Sequence, residues 1–241
     1  APYLGILRMD MDNLGRLFRD GFLRKVGDEL LDYGTFSRKH SLSTLLSVFF
    51  EGWVGERARK HAEKQERVYA VYSGGDDLFF VGSWDAVLAL AYSVRDDFRK
   101  FSGREDLGIS AGFLLVHDKY PLYLAATEAG ELLESAKKGR EKLVEAPSQD
   151  SWAFPRKDAI CLLGRVVFWE DFPEVKRWKE RLVQAVKEEA AARRVLFVLQ
   201  EVWEKYQKER EQRGEWGPWL WRITYWLSRQ REVARKAGRD E

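Results

Sequence analysis

Residues 72–85 read YSGGDDLFFVGSWD, and this stretch decides how the first half of the chain folds. The apolar runs VYAVY at 68–72 and LFFV at 78–81 have the length of strands. The Gly-Gly pair between them suits a tight turn, so the sequence predicts a β-hairpin with two adjacent aspartates on its turn. Apolar residues at helical spacing then predict a helix over 84–101.

The elements on either side of the hairpin complete a known layout. The predicted elements, in chain order, are a strand over 3–9, a short helix over 14–22, an irregular stretch over 23–40, a long helix from a Ser41 cap to Arg67, the hairpin, the helix over 84–101, a strand over 107–116 and a helix over 122–138 closed by Gly139. Two split βαβ units in this order predict an α+β fold. We expect a ferredoxin-like palm, which is an antiparallel sheet with helices on one face.

Composition changes along the chain and predicts a second module. Residues up to 146 include 21 basic and 23 acidic side chains, whereas those from 147 onward include 20 basic and 16 acidic side chains. Eight of the ten tryptophans also lie at or after Trp152. We therefore predict a palm domain over 1–146, a linker with short strands over 147–168 and an all-α C-terminal domain over 169–241.

Bulk composition excludes several classes of protein. The net charge of +2 is too small to indicate a nucleic-acid binder by itself. The single cysteine, Cys161, excludes a disulfide framework and a cysteine-based zinc site. Because no apolar run approaches the roughly 18 residues of a membrane span and no signal peptide opens the chain, we expect a cytoplasmic protein without a membrane partner. The chain opens directly in a strand, so we expect it to be part of a longer protein.

Three aspartates carry the predicted chemistry: Asp10 at the end of the first strand, and Asp76 and Asp77 on the hairpin turn. In a palm the first strand lies beside the hairpin, so the three carboxylates meet at one edge of the sheet. Mg²⁺ binds one or two protein carboxylates together with phosphates and water, and two such ions can activate a hydroxyl and stabilise a leaving pyrophosphate. Each motif alone also suits a purely structural turn or helix cap, and we expect Asp12 to be such a cap.

Four segments resemble a known family: RMDMDNLGRLF at 8–18, FSRKHSLSTLLSVFFEGW at 36–53, YSGGDDLFFVGSWD at 72–85 and FWEDFPEVKRW at 168–178. The chain resembles the second palm domain and C-terminal helical domain of the large polymerase/cyclase subunit of type III-A CRISPR interference complexes. That subunit is itself related to the GGDEF nucleotide cyclases.

The resemblance implies a metal-dependent nucleotidyltransferase that joins ATP 3′ to 5′ into cyclic oligoadenylates once the complex binds target RNA. It implies Mg²⁺ or Mn²⁺ as cofactor, held by Asp10, Asp76, Asp77 and the Met11 carbonyl, with Asp76 and Asp77 as the catalytic pair. The nucleotide-binding residues that it implies are Ser73, Gly74, Gly75, Lys137 and Arg140. A basic helix end favoured by the helix dipole explains the last two equally well.

The resemblance also implies partners. These are the small helical subunit, the subunit that binds the end of the guide RNA (crRNA), the guide and target RNAs, and the first palm domain of the parent chain. The family's cyclase site lies between two palms and this chain carries one, so we expect the chain alone to bind ATP and metal weakly and to make little cyclic product.

Other functions remain open at this point. The main alternative is a non-catalytic scaffold palm that contacts nucleic acid in the same complex. A diguanylate cyclase is disfavoured, because Phe18 stands where those enzymes carry the guanine-reading asparagine. Ser37, Ser41 and Ser43 are further candidates for contacts with base or ribose. The tryptophans and arginines of the helical domain suit packing, stacking on single-stranded nucleic acid or anchoring a partner subunit.

Overall fold

The computed structural model describes residues 3–27, 29–63, 68–139 and 157–187, together with 197–198, 200–206, 221, 224–226 and 228–229. By its internal contacts the chain divides into two compact units, Ala1–Phe172 and Pro173–Glu241. Residues 159–168, which we assigned to the segment between two domains, form two strands of the first unit's sheet.

The first unit is built on a six-stranded sheet with the strand order β4-β5-β1-β6-β7-β8. Its elements are β1 (Tyr3–Met11), α1 (Leu14–Asp20), β2 (Leu23–Val26), β3 (Glu29–Asp32), α2 (Phe36–Ser47), a π-helical segment (Val48–Trp53), α3 (Val54–Glu63), β4 (Val68–Gly74), β5 (Asp77–Ser83), α4 (Trp84–Ser102), β6 (Ile109–His117), α5 (Leu122–Gly139), β7 (Ala159–Leu162) and β8 (Arg165–Phe168). The order β4-β5-β1-β6 is that of a ferredoxin-like sheet, with antiparallel pairing throughout. The predicted α+β palm is confirmed, and β7 extends it by pairing parallel to β6.

Alternation along β1 divides the core between the two faces of the sheet. Leu7, Met9 and Met11 point into the larger cluster, which includes residues of α4 and the π-helical segment. Ile6 points the other way and packs with Ala125 and Ala129 of α5. Helices α2 to α4 thus lie on one face, as expected, but α5 covers the opposite face. The expectation that the helices share one face was therefore wrong for α5, because Ile6 and its neighbours give the second face an apolar surface of its own.

Two local predictions were wrong. The long helix begins at Phe36 rather than at Ser41, because the Thr35 side chain accepts a hydrogen bond from the Arg38 main-chain N–H and caps it. The stretch predicted to be irregular contains a small separate hairpin of β2 and β3. Every described residue of those two strands is at most partly buried, so the apolar alternation that indicates a strand is absent.

The second unit contains all of α6 (Phe172–Lys187) except its first residue, and α6 lies in the segment for which the sequence predicts an all-α domain. The described residues within 197–206 and 221–229 are also helical, and the rest of both segments lies outside the described residues. Among the described residues, we find no helix with both the length and the apolarity needed to cross a membrane.

Candidate active site

Strand pairing brings the three predicted aspartates to one end of the sheet. Asp10 on β1 lies directly opposite Asp77 on β5 and opposite Ser110 on β6. Directly paired residues project from the same face of a sheet, and for Asp10 and Asp77 this is the face covered by α5. The prediction from sequence that the strand end and the hairpin turn meet is therefore correct.

The turn itself depends on Gly74 and Gly75. Gly75 has φ of 62°, which is the left-handed region that glycine enters without a steric penalty. Gly74 approaches Tyr72 closely, since a Cβ placed on it would lie 3.1 Å from the Tyr72 hydroxyl. Beside Asp76 the turn therefore carries no side chain at positions 74 and 75, and a Cβ at Gly75 would meet no atom within 4 Å.

Asp76 and Asp10 are close enough to influence each other. The pKa of Asp10 is raised from 3.8 to about 6, mainly because the carboxyl group is buried. The hydrogen bond and the charge of Lys137 lower this pKa, and the charge of Asp76 and a hydrogen bond with it raise it. Two neighbouring carboxyl groups with restricted access to water favour a proton or a cation between them. This pair has the chemistry of a site for a hard divalent ion.

Lys137 supplies a positive charge at this position. It lies in the last turn of α5, donates to Asp10 Oδ2, and has Glu134 Oε1 at 3.7 Å. Burial alone would lower the pKa of Lys137, but the hydrogen bond and charge of Asp10 outweigh burial and raise it. Lys137 is therefore a protonated, half-buried cation that touches the predicted metal ligand.

Asp77 is held differently from Asp76. Arg8 Nη2 donates to Asp77 Oδ2 at 2.9 Å, and the two side chains are 33% and 38% exposed. Arg8 Nε and Asp77 Oδ1 are buried polar atoms that lack a hydrogen-bond partner within the described part of the chain. The two acids of the turn thus have different neighbours: Asp76 lies near Asp10, and Asp77 is bonded to Arg8.

An open cavity of about 780 Å³ adjoins these groups. It is lined by Arg8, Asp10, Asp77, Thr127, Gly130, Glu131, Leu133, Glu134, Ser135, Lys137 and Lys138. Both cations and carboxylates face it, as a site for a metal-bound phosphate chain requires. Over the described ranges no group of three or more His, Cys, Asp or Glu residues is placed so that it could hold a metal ion. Mg²⁺ needs only one or two protein carboxylates, however, when phosphates and water complete its coordination shell.

The structure places the remaining predicted site residues as follows. The Ser73 hydroxyl donates to the Phe50 carbonyl of the π-helical segment at 2.6 Å, which ties the hairpin to the helix before it. The Met11 side chain is buried in the core, so its main-chain carbonyl is the only part of it suited to a metal. Arg140 lies outside the described residues.

Asp12 is not the helix cap that we expected. The cap position of α1 is Asn13, which has φ of 61° and makes no side-chain capping bond. The Asp12 side chain instead accepts from Ser110 Oγ at 2.7 Å and from the Asp158 main-chain N–H at 2.8 Å, and the residue is 1% exposed. Asp158 in turn pairs with Arg95 of α4 through two hydrogen bonds, of 3.2 and 2.5 Å.

A second cavity, of about 560 Å³, lies among α1, α2 and the end of α4. Ser41 lines it with Phe22, Phe101 and Arg38, whereas Ser37 and Ser43 are exposed residues that do not line it. Of the three candidate serines, Ser41 is therefore the one beside an apolar pocket.

Sequence reasoning missed Arg8, although a signal was present. Arg8 is the one charged residue of the apolar run YLGILRM at 3–9 and lies two residues before Asp10. Residues two apart in a strand share a face, so Arg8 could have been placed beside Asp10 from the sequence alone.

Comparison with known proteins agrees with this fold. The family model described as Cas10/Cmr2, second palm domain, matches residues 3–144. The chain is 29% identical over 240 residues to a Streptococcus thermophilus single-strand-specific deoxyribonuclease, Cas10/Csm1 of subtype III-A, and the match covers 99% of this chain and 28% of the relative. The corresponding Methanocaldococcus jannaschii protein is 38% identical over 143 residues, which cover 56% of this chain and 17% of that protein. The chain thus spans less than a third of the length of either relative.

Solved structures show the same fold. A Csm1–Csm4 cassette without ligand superposes with a TM-score of 0.68 at 20% identity, covering 94% of this chain and 31% of that one. A Csm1–Csm4 cassette in complex with pppApA gives a TM-score of 0.66 at 21% identity, covering 87% and 29%. Since the family model covers more than half of the chain, the chain belongs to the Cas10/Cmr2 family, and residues 3–144 are its second palm domain.

Proposed function

We propose that this chain is the nucleotide-joining palm module of a type III CRISPR effector large subunit. It binds ATP with Mg²⁺ or Mn²⁺ and contributes to the synthesis of cyclic oligoadenylates by 3′–5′ nucleotidyl transfer. The observation that carries the proposal is the placement of Asp10 opposite the hairpin that carries Asp76 and Asp77, together with its contact with Lys137 at the edge of the cavity. A purely structural palm has no need for an acidic pair and a lysine at one strand end.

The reaction joins the 3′-oxygen of one ATP to the α-phosphorus of another. The P–O bond to the β-phosphate breaks, pyrophosphate leaves, and the proton of the 3′-hydroxyl passes to water. The carboxylates of Asp10 and Asp76 would hold the ion, which would neutralise phosphate charge and favour ionisation of the attacking hydroxyl. An orphaned carboxylate oxygen beside them, Asp77 Oδ1, fits a cation-binding region.

The residues of the chain have separate tasks in this proposal. Lys137 offers its charge to the phosphate chain once Asp10 is occupied by the cation. Gly74 and Gly75 let the backbone approach the phosphates without side-chain contacts. The second cavity, with three phenylalanines and the hydroxyl groups of Ser41 and Ser102, offers an apolar surface with two hydroxyls for a purine base.

The comparisons support the ligand class and a Csm4-like partner. Solved Csm1–Csm4 cassettes of the same fold include complexes with ATP, with AMPPNP and with cA4. We assign the same class of nucleotide to this chain, and as partners another palm domain of the parent protein, a Csm4-like subunit that binds the end of the guide RNA, the small helical subunit, and the guide and target RNAs.

Calorimetry of ATP binding with Mn²⁺ tests the proposal. The double variant Asp76→Ala/Asp77→Ala should lose metal-dependent binding, and Lys137→Met should weaken it about tenfold or more, because a charge-assisted hydrogen bond contributes about 1.5–3 kcal/mol. Lys100→Met is the matched control, since Lys100 pairs with Asp96 on the exposed surface of α4. Unchanged binding in the double variant would show that the site is wrong, and metal-independent binding in every variant would favour a scaffold palm.

A second assay separates binding from catalysis. The 241-residue chain alone should make little cyclic product from ATP, because the proposed site needs a second palm. Addition of the parent protein's first palm should restore synthesis. Rapid cyclisation by the chain alone, measured by chromatography of the products, would contradict the requirement for two palms.

A further inference from the structure

The two acids of the hairpin turn are adjacent in sequence, yet the structure gives them different neighbours. Asp76 acts on Asp10 by charge and hydrogen bonding, whereas Asp77 is bonded to Arg8. Arg8 lies two residues before Asp10 on the same face of β1, so it occupies the next position along the strand from the proposed metal site.

Arg8 is held in a niche that glycines create. It lies opposite Gly112 on β6, where α5 comes so near that a Cβ would be 2.2 Å from the Ala129 carbonyl oxygen. Gly130 of α5 faces the guanidinium, and a Cβ there would lie 3.3 Å from Arg8 Nη1. The guanidinium therefore lies beside α5 at the wall of the open cavity, with Nη2 directed at Asp77.

The contact between Arg8 and Asp77 is a single hydrogen bond rather than the bidentate pair that arginine and carboxylate commonly form. Asp77 Oδ1 and Arg8 Nε remain buried without a hydrogen-bond partner among the described residues. Arg8 thus pairs with Asp77 and fixes the direction of its carboxylate, whose second oxygen stays buried.

We propose that Arg8 is a positioning residue that holds Asp77 against α5, so that Asp76 alone joins Asp10 at the metal ion. The proposal rests on the proposed function, since it concerns the same site. It separates Asp77 from the metal ligands among which the sequence analysis placed it. Without Arg8, the free carboxylate of Asp77 would become a third acidic ligand and would bind the cation more tightly than the wild-type site does.

Mn²⁺ titration of the 241-residue chain tests this role, with the unbound ion followed by electron paramagnetic resonance. We expect Asp76→Asn to weaken Mn²⁺ binding about tenfold and Asp77→Asn to change it less than about twofold. We expect Arg8→Met to tighten Mn²⁺ binding about fivefold, because it uncovers a negative charge beside the ion. The double variant Arg8→Met/Asp77→Asn should return to the affinity of Asp77→Asn.

Two further variants keep the test specific. Arg8→Lys retains a cation beside Asp77 and should bind Mn²⁺ as the wild type does. Arg19→Met is the matched control, since Arg19 forms a 2.9 Å pair with Asp20 on the exposed surface of α1, and its removal should leave Mn²⁺ affinity unchanged. Loss of a structural residue would not tighten metal binding, so the gain in Arg8→Met separates positioning from general stabilisation.

The outcomes are distinct. An unchanged or weaker Mn²⁺ affinity in folded Arg8→Met overturns the role of Arg8, as does a loss in Asp77→Asn that equals the loss in Asp76→Asn. If Arg8→Met does not fold, as judged by circular dichroism, the Mn²⁺ affinities of Asp77→Asn and Asp76→Asn test the proposal instead. A smaller loss in Asp77→Asn than in Asp76→Asn supports it, and equal losses overturn it. If the wild-type chain itself does not bind Mn²⁺, the proposed function fails, and this role fails with it.

Discussion

Replacement of Asp12 by alanine should destabilise the palm by about 2–6 kcal/mol, because two buried donors lose their acceptor at about 1–3 kcal/mol each. The donors are the Ser110 hydroxyl and the Asp158 main-chain N–H, at 2.7 and 2.8 Å from the Asp12 carboxylate. Ser110 and Asp158 are 0% and 1% exposed, so water cannot replace the lost acceptor.

Asparagine at the same position should behave in the opposite way. Its carbonyl oxygen can accept from the Asp158 N–H, and its amide group can donate to Ser110 Oγ, so the first bond is kept and the second is replaced by one of opposite direction. Burial raises the pKa of Asp12 from 3.8 to about 6, against the hydrogen bonds from Ser110 and Asp158. This difference in pKa corresponds to about 3 kcal/mol of penalty on the ionised carboxylate, and Asp12→Asn removes that penalty.

The sign of the pH dependence follows from the raised pKa. The stabilising contribution of protonated Asp12 is complete below pH 4 and is lost as the pH rises through about 6. The amide that replaces the carboxyl group in Asp12→Asn does not titrate. Asp12→Asn should therefore match the wild type near pH 4 and exceed its stability by up to about 3 kcal/mol at pH 8.

Urea unfolding followed by far-ultraviolet circular dichroism at pH 5 and pH 8 measures these differences. Asp96→Asn is the control for a lost aspartate charge, because Asp96 forms an exposed pair with Lys100 on α4 and should change stability by less than about 1 kcal/mol at either pH. Equal destabilisation by alanine and asparagine at position 12, or a pH trend of opposite sign, would refute the argument from the two donors and the buried charge.

Two other predictions concern glycine and serine. Gly112→Ala should destabilise the palm by at least about 3 kcal/mol, since its Cβ would lie 2.2 Å from the Ala129 carbonyl oxygen. Gly15→Ala in α1 should stabilise the palm by about 1 kcal/mol, because a Cβ at position 15 meets no other part of the fold within 4 Å. Thermal unfolding of the two variants compares these effects. Ser73→Ala should cost about 1 kcal/mol by removing the bond to the Phe50 carbonyl and should weaken ATP binding measured by calorimetry; full ATP affinity together with lowered stability would restrict Ser73 to a structural role.

The parts of the fold that sequence reasoning predicted correctly are those that local patterns determine. Apolar runs and a Gly-Gly turn specify the hairpin of β4 and β5, and the order of helices and strands then selects the ferredoxin-like arrangement. The small hairpin of β2 and β3 was missed because the described residues of both strands are at most partly buried, so no periodicity marks them.

The role of Asp12 could not be predicted because its partners are distant in sequence. Asp158, which donates to its carboxylate, is 146 positions away, and Ser110 is 98 positions away. The local pattern around Asp12 is typical of a helix cap, and only the folded chain shows that the side chain turns into the core. Hydrophobic periodicity predicts local helices and strands, but it does not predict which distant residues a single polar side chain contacts.

Arg8 and Lys137 reduce the repulsion among the acidic side chains at this strand end in the absence of a metal ion. Three carboxylates within one strand end repel one another, and the sheet opposes this repulsion with a cation beside two of them: Lys137 at Asp10 and Arg8 at Asp77. Both side chains line the open cavity: Lys137 lies in the last turn of α5, and Arg8 lies beside Gly112 and Gly130. In the proposed function, a metal ion on Asp10 would take the place of the Lys137 contact and would leave the Arg8–Asp77 pair intact.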